Sequence, residues 1–274
     1  DNYKTMLNVV KNYTNHNDFS IKQIDYKWLK NLETSHYSKG NSANGLSVYM
    51  RAIRAIINKA IKEGIFDRDK YPFFQYKIKQ EKTKKRAIGK DNIDKIKTLE
   101  LVENTNIWHA KNYFLFSFYT RGMNWTDMAL LKKDNISNGR ITYKRAKTGK
   151  IFSIKLNEQI LEILNIYLNE NTDTEYVFPI INRGSNAILQ QKDIRNGRKI
   201  FNKNLKKIAE ICEIETVLTS YVSRHSWATI AKKLGYSVEI IGEGLGHEDT
   251  KTTQIYLDSF DDEVLDDAND LITA

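Results

Sequence analysis

A polar, basic stretch without apolar periodicity, KIKQEKTKKRAIGK at residues 77–90, does most to constrain how this chain can fold. Helix-like apolar patterns precede and follow it, but the stretch itself offers no side chains from which a core could be built. The 274 residues are too many for one ordinary core and suit two domains of roughly 100–180 residues. The sequence therefore predicts domains at 1–80 and 91–257, a basic linker at 81–90 and a tail at 258–274.

The first domain is predicted to be entirely helical, with helices at 3–15, 26–36 and 44–64. In the third helix, a polar stripe has members spaced three and four residues apart: Arg51, Arg54, Asn58 and Lys62. This stripe suits a DNA phosphate backbone and suits an ordinary solvated face equally well. Arg51, Arg54 and Lys62 are the candidate DNA contacts of this domain.

The second domain is predicted to be mainly helical with a small sheet. The patterns favour helices at 91–100, 107–119, 124–133, 157–170 and 196–211, and a helical run from about 223 onward. A hairpin is expected around 140–145 and 150–156, with a short strand at Thr216–Thr219.

The charge distribution points to a polyanionic partner. The chain carries 43 Lys and Arg against 34 Asp and Glu, a net charge of +9. Seven of the acids lie in 258–274, where there is no Lys or Arg, so residues 1–257 carry +16. A basic body with an acidic tail indicates nucleic acid, although a well-solvated basic protein is the plainer alternative. Within the linker, Lys84, Lys85 and Arg86 join the candidate DNA contacts.

Several classes of protein are excluded. No stretch approaches the roughly 18 apolar residues of a membrane span, and no signal peptide is visible at a start that lacks Met, so we expect residues upstream. The one cysteine, Cys212, forms no internal disulfide and suits a reducing bacterial cytoplasm. The histidines show no HExxH pattern, and the glycines of IGEGLGHED (241–249) lie in a helical stretch, so neither a metal nor a nucleotide cofactor is expected.

The last third of the chain carries the chemistry. SYVSRHSWATIAKKLG (220–235) places Arg224 beside a histidine at a helix start, and LGHEDTKTTQIYL (245–257) places Tyr256 nine residues after His247. Taken singly, each residue also has a purely structural explanation. His225 could be packed or cap a helix, Arg224 could form a surface ion pair, and Tyr256 could be a core residue of an amphipathic helix. Together, they predict one small site in which Arg224 and His247 grip a phosphate and Tyr256 supplies a nucleophilic hydroxyl.

These residues resemble the tyrosine recombinases, the phage-type integrases among the DNA-breaking and rejoining enzymes. The family's second box stands here as YVSRHSWAT (221–229), and its third as LGH (245–247) with Tyr256. The first box is similar to YTRGMNWTDMALL (119–131) and the lysine hairpin to YKRAKTGKIFSIKL (143–156). The resemblance spans about 88–260, and the Y-x-x-R-H form of the second box is nearest to integrases of Bacteroidetes mobile elements.

The resemblance implies an all-α core-binding domain, an α+β catalytic domain and site-specific DNA recombination. Tyr256 would attack a phosphodiester to give a 3′-phosphotyrosine and a 5′-hydroxyl, which needs neither metal nor ATP. It also implies the supporting roles. Arg224 and Arg121 would clamp the phosphate and Lys147 would be the general acid. His247 would donate to a phosphate oxygen or assist Tyr256, while Asp127 and His225 would support the site.

The chain departs from the family at two positions. Tyr221 stands where the second box has a histidine, and a phenol with a pKa near 10 is a poor proton shuttle at neutral pH. The proton transfers are therefore expected to depend on Lys147 and His247. Strict alignment places Asn124 at the first-box arginine. Arg121 lies three residues earlier, which on a helix is one turn away on the same face, and we expect it to fill the role. The cations Lys144, Arg145 and Lys150 also lie close to Lys147.

The expected partners are double-stranded DNA, further copies of the chain in a tetramer on that DNA, and DNA-bending proteins of the host or element, in the nucleoid. Two alternatives remain: a DNA-binding regulator that lost the chemistry, and a type IB topoisomerase acting alone. In the tail, Phe260, Val264 and Leu271 share helical spacing. The tail is predicted to dock on a neighbouring protomer, the alternative being a tail that folds back or stays disordered.

Overall fold

The computed structural model describes residues 2–81, 86–170, 173–182, 186–247, 249 and 253. The chain separates into two compact units, Asp1–Lys84 and Lys85–Ala274. The tail, Lys84 and Lys85 lie outside the described residues. None of the described helices is long and apolar enough to cross a membrane.

The first unit is built on three helices, α1 (Asn2–Tyr13), α2 (Tyr26–Ser38) and α3 (Ala43–Lys62). Asp25 and Ser42 cap α2 and α3 by accepting backbone N–H groups of the first turn. Met50, Ile53 and Ile57 on α3 are fully buried against Leu29 of α2. The polar stripe of α3 is therefore left on the outer face, where Arg51, Arg54, Asn58 and Lys62 are exposed.

Among its described residues, the second unit has seven helices and a three-stranded sheet around a main hydrophobic core, with a smaller apolar cluster between the last two of those helices. Its helices are α4 (Lys90–Thr98), α5 (Asn106–Tyr119), α6 (Trp125–Ala129), α7 (Glu158–Glu170), α8 (Ala187–Ile211), α9 (Val222–Lys233) and α10 (Val238–Leu245). The strands β1 (Ile136–Ser137), β2 (Arg140–Lys144) and β3 (Ile151–Lys155) are antiparallel in the order β1-β2-β3. The predicted fold class, all-helical first domain and α+β second domain, is confirmed.

The core explains where the sheet and helices sit. Helix α5 is buried nearly all round, with Phe114 and Phe116 fully inaccessible, and it packs against α7, α8 and α9. In β2 and β3, burial alternates strictly, so that Ile141 and Tyr143 face the core together with Phe152 and Ile154. The hairpin turn at 146–149 is exposed.

Four local predictions are wrong. The helix expected at 124–133 ends at Ala129 and is followed by a 3₁₀ turn and β1. Residues 216–219 form no strand, although Leu218 is buried. The helix predicted to start at 196 starts at Ala187, where Asn186 caps it. The run from 223 is two helices separated at Gly235, whose φ of +83° breaks the helix.

Candidate active site

Arg224 is the residue on which the three sequence boxes converge. It lies in the first turn of α9 and is only 3% exposed. Its Nη1 donates to the carbonyl of Gly122 in the first box at 3.0 Å, and its Nη2 donates to the carbonyl of Leu245 in the third box. Nη2 also lies 3.3 Å from Nε2 of His247. Burying a charged guanidinium without hydrogen-bond partners costs free energy, and here the first and third boxes provide the partners.

Gly122 permits this approach. Its φ is +74°, and a Cβ added there would lie 2.6 Å from the backbone and side chain of Arg224. A side chain at residue 122 would therefore push the first box away from α9. A second link, between the hydroxyls of Ser117 and Ser223 at 2.7 Å, joins α5 to α9 beside it.

Arg121 lies in the turn between α5 and α6 and is half-buried. Its φ of +59° is left-handed, so the expectation that it shares a helix face with Asn124 is wrong. Asn124 is the N-cap of α6: its Oδ1 accepts from the backbone N of Asp127 at 3.3 Å, and its Nδ2 donates to Oδ2 of Asp127 at 2.6 Å. The amide of Asn124 is thus engaged in a cap, and Arg121 directly precedes Gly122, whose carbonyl binds Arg224.

Asp127 joins the first box to the hairpin. Its carboxylate is 4% exposed and accepts from the backbone N of Ala146 at 2.8 Å. Burial raises the pKa of this carboxyl, while the bond from Ala146 and the charge of Arg145 oppose the rise. Substituting it by an apolar residue would remove the hydrogen bond that links the hairpin turn to the first box.

Lys147 lies in that turn, one residue beyond Ala146, and is exposed. The turn is closed by hydrogen bonds from the backbone N of Arg145 to the carbonyl of Lys150 at 2.8 Å and from the backbone N of Gly149 to the carbonyl of Arg145 at 2.9 Å. Gly149 has a φ of +73°, as the turn requires. The backbone of Lys147 is therefore held in place by the turn, while its long side chain can change conformation to move the amine.

His247 follows the left-handed end of α10 at Gly246, where a Cβ would come within 2.2 Å of the Phe152 ring. Its Nδ1 lies 3.0 Å from Oγ1 of Thr253 and its Nε2 faces Arg224. A guanidinium can only donate, so Nε2 must accept, and the proton sits on Nδ1. Burial, followed by the charges of Arg224, Arg145 and Lys150, lowers the pKa of His247 to about 4. The ring is neutral at pH 7.

Tyr221 and His225 form a pair at the start of α9. Tyr221 is 42% exposed, and its ring meets that of His225 edge to face with centroids 4.8 Å apart. Burial, together with Arg86 and Arg224, lowers the pKa of His225 to about 4, so this ring is also neutral. The packed His225 presents the Tyr221 phenol outward.

Of the predicted site residues, Arg224, His247 and Asp127 belong to one connected cluster, with Lys147 and Arg121 on the adjoining turns. Tyr256 lies outside the described residues, as do Lys84 and Lys85. Arg51, Arg54 and Lys62 belong to the first unit.

Two features were missed by sequence reasoning. Tyr143 is buried beneath the cluster, and its pKa is raised by burial and then by Asp127, while Arg224, Arg145 and Arg121 oppose the rise. Helix α8 carries a row of exposed cations at helical spacing, here called the α8 basic face: Lys192, Arg195, Lys199, Lys203, Lys206 and Lys207. The spacing of these cations can be recognised in the sequence, but the helix predicted at 196–211 leaves out Lys192 and Arg195.

Comparison with known proteins gives concordant matches to both units. The model of the phage integrase family matches residues 88–263, and the phage integrase SAM-like domain matches residues 1–79. Tyrosine recombinase XerD of Staphylococcus aureus is 24% identical over 261 residues, covering 90% of this chain and 81% of XerD.

Two solved structures share the fold. A lambda integrase dimer bound to a COC′ core site superposes with a TM-score of 0.71 at 16% identity, covering 95% of this chain and 89% of that one. The XerH site-specific recombinase in a post-cleavage complex with its palindromic difH substrate has a TM-score of 0.71 at 19% identity, covering 100% and 79%.

Proposed function

Because this chain belongs to the phage integrase family and is a tyrosine site-specific recombinase, we propose that it cuts and rejoins double-stranded DNA through Tyr256 within the cluster around Arg224. The observation that carries the proposal is the convergence of all three boxes on one buried guanidinium. The fold thus brings groups from residues 122, 245 and 247 to one arginine side chain, as the binding of a single phosphate by all three boxes requires.

The clamp on the phosphate is assigned to Arg224 and Arg121. In-line attack produces a pentavalent phosphorus whose non-bridging oxygens gain negative charge, and guanidinium groups stabilise it through paired, charge-assisted hydrogen bonds. Arg121 is favoured over Asn124 because the Asn124 amide already caps α6. Tyr221, exposed at the start of α9, donates a further hydrogen bond to the phosphate, with His225 holding its ring.

Two protons move in the cleavage step. The Tyr256 oxygen bonds to phosphorus as the bond from phosphorus to the 5′ oxygen breaks, and Lys147 gives its proton to that leaving oxygen. The proton of Tyr256 passes to His247, whose Nε2 is an acceptor and becomes available once Arg224 turns to the phosphate. Religation reverses both transfers. Asp127 keeps Lys147 in place through Ala146.

DNA contacts outside the cluster are assigned to exposed cations in both units. In the first unit these are Arg51, Arg54 and Lys62; near the linker they are Lys84, Lys85 and Arg86; in the second unit they are the α8 basic face. Basic rows of this kind bind phosphates without reading sequence and set the salt dependence of binding.

Assembly is assigned to the tail. An apolar groove of about 380 Å³ lies on the second unit, lined by Trp227, Ile230, Leu234, Tyr236 and Ile240 among others. Leu234 and Ile240 are 71% and 56% exposed in it, and Lys232 and Lys233 lie alongside on α9. These features suit a partly apolar, acidic segment, and the tail of a neighbouring protomer is the proposed occupant. Such exchange would link four protomers on DNA.

The biological setting is a bacterial mobile element. The Y-x-x-R-H form of the second box supports a source in Bacteroidetes, and action in the nucleoid with DNA-bending proteins of the host or element follows from that setting.

A nicked duplex made from the element's own ends tests the proposed function. Cleavage beside the nick releases a short fragment that cannot be rejoined, so a covalent protein–DNA band should accumulate, in EDTA as well as without it. Arg224→Ala should give no band. Binding of the duplex by the wild-type protein without any band would contradict the proposal.

A further inference from the structure

Arg145 joins the hairpin to the third box. It follows the last residue of β2, and its side chain is 11% exposed. Its Nη1 lies 3.4 Å from the carbonyl oxygen of Leu245 and 3.5 Å from that of Gly246. These carbonyls form the C-terminal end of α10, where the helix dipole concentrates negative charge, so a cation is favoured there.

The opposite edge of the same guanidinium faces the first box. Nε of Arg145 lies 3.9 Å from Oδ2 of Asp127 and has no hydrogen-bond partner among the described residues. Asp127 also accepts from the backbone N of Ala146. Two contacts therefore hold the turn that carries Lys147. Asp127 links it to the first box, and Arg145 links it to the third box.

The Leu245 carbonyl connects this link to the phosphate clamp, because Nη2 of Arg224 donates to the same oxygen. A shift of the Lys147 turn away from α10 would thus separate the general acid from the group that binds the phosphate. Distances of 3.4 and 3.5 Å are long for hydrogen bonds, so charge attraction carries the contact, and a neutral residue would not replace it.

We propose that Arg145 is a positioning residue that holds the Lys147 turn against the third box, so that Lys147 reaches the leaving 5′ oxygen. This inference rests on the proposed function, in which Lys147 is the general acid. It predicts that loss of Arg145 damages proton delivery to the leaving group while sparing the binding of the phosphate.

A substrate with sulfur in place of the bridging 5′ oxygen separates these two effects. A thiol, with a pKa near 8.5, leaves as the anion without a proton, whereas an alkoxide of much higher pKa needs the general acid. Single-turnover cleavage of the oxygen and sulfur substrates is measured for the wild type, Arg145→Ala, Lys147→Ala and Arg140→Ala. Arg140 is the matched control, since it bonds to Ser153 at the other end of the same hairpin.

On the oxygen substrate, Arg145→Ala should be slowed at least about tenfold, and Lys147→Ala about 10²–10⁴-fold. On the sulfur substrate, both should return to within a few-fold of the wild type, and Arg140→Ala should match the wild type on both. The double variant Arg145→Ala/Lys147→Ala should be no slower than Lys147→Ala alone, because the two residues act on one step. Arg145→Lys, which keeps the charge, should recover part of the rate.

Two results would overturn the inference alone: wild-type cleavage of the oxygen substrate by Arg145→Ala, or a defect of Arg145→Ala that persists on sulfur while Lys147→Ala recovers. Failure of Lys147→Ala to recover on sulfur would instead remove the proposed general acid, and the inference with it. Thermal midpoints and duplex affinity of each variant exclude misfolding as the cause; should Arg145→Ala not fold, Arg145→Lys on the two substrates decides by the same comparison.

Discussion

At the residue scale, Arg224 shows why the role of a residue is easier to predict from sequence than the contacts of its side chain. The pattern predicts the site because few other sequences combine Arg224-His225, Leu245-Gly246-His247 and a tyrosine nine residues after His247. The carbonyl partners of Arg224, by contrast, belong to residues 122 and 245, and carbonyls carry no sequence signal. Helical spacing predicts Arg121 for the first-box role, but Arg121 lies in a left-handed turn; its assignment is supported instead by Asn124, whose side chain is engaged in capping α6.

Arg121→Ala should abolish strand cleavage and leave duplex affinity within a factor of a few, because one phosphate contact among many contributes little to binding. Asn124→Ala should lower stability by about 1 kcal/mol through loss of the α6 cap and should slow cleavage less. Covalent-complex yield and gel-shift affinity are measured on the same nicked duplex. The opposite ranking of the two variants would give the first-box role to Asn124.

The two neutral histidines predict a pH dependence of stability. His225 and His247 have pKa values lowered to about 4, against an unfolded value near 6.5, so the unfolded chain binds more protons between these limits. Stability should fall as the pH drops from 6.5 to 4, by at most about 1.4 kcal/mol per pH unit for each ring. In urea titrations, His225→Phe should show a shallower fall than the wild type. An unchanged slope would mean that His225 is protonated in the folded state.

At the scale of elements, helix α8 shows what local propensity could not predict. The helix was predicted at 196–211 but begins at Ala187, and it runs through Asn196-Gly197, a pair that is typical of a turn. In the fold, Gly197 serves packing: a Cβ there would lie 2.9 Å from the Trp125 ring, and Nε1 of Trp125 donates to the carbonyl of Ile194 at 2.7 Å. Tertiary contacts thus override the turn signal. The hairpin was predicted to within one residue at all four strand ends, because its alternating pattern is local.

The α8 basic face should contribute to the salt dependence of DNA binding. Replacing Lys199, Lys203 and Lys206 together by Ala should reduce the slope of log affinity against log salt by about 3, close to one for each lost phosphate contact. Removing the exposed α4 lysines Lys90, Lys95 and Lys97 provides an equal change of charge as control. Equal effects of the two triple variants would show that net charge acts and that α8 has no special contact.

At the scale of the whole molecule, the chain combines a strongly basic body with an acidic tail, and the two must be kept apart when DNA is bound. The +16 of residues 1–257 attracts the duplex, while seven acids just beyond Tyr256 would repel it. Placing the tail on a neighbouring protomer removes this conflict. The proposed docking surface lies on another copy of the chain, so the sequence of one chain alone does not predict where the tail binds.

Deleting residues 258–274 should spare duplex binding and cleavage of the nicked substrate while removing recombination and higher-order complexes. Ile240→Glu, which places a negative charge in the groove, should have the same effect, whereas Val217→Glu, at an equally exposed apolar residue outside it, should not. Recombination by the truncated protein at the full-length rate would leave the tail without an assembly role.

The central claim is that the cluster around Arg224 serves Tyr256, and mapping the residue joined to DNA tests it most directly. The covalent complex formed on the nicked duplex is digested with protease and nuclease, and the peptide bearing the nucleotide is sequenced by mass spectrometry. The account predicts attachment at Tyr256, with Tyr256→Phe binding the duplex normally and forming no complex. Attachment at another residue, with Tyr221 the first to consider, or a covalent complex from Tyr256→Phe, would contradict it.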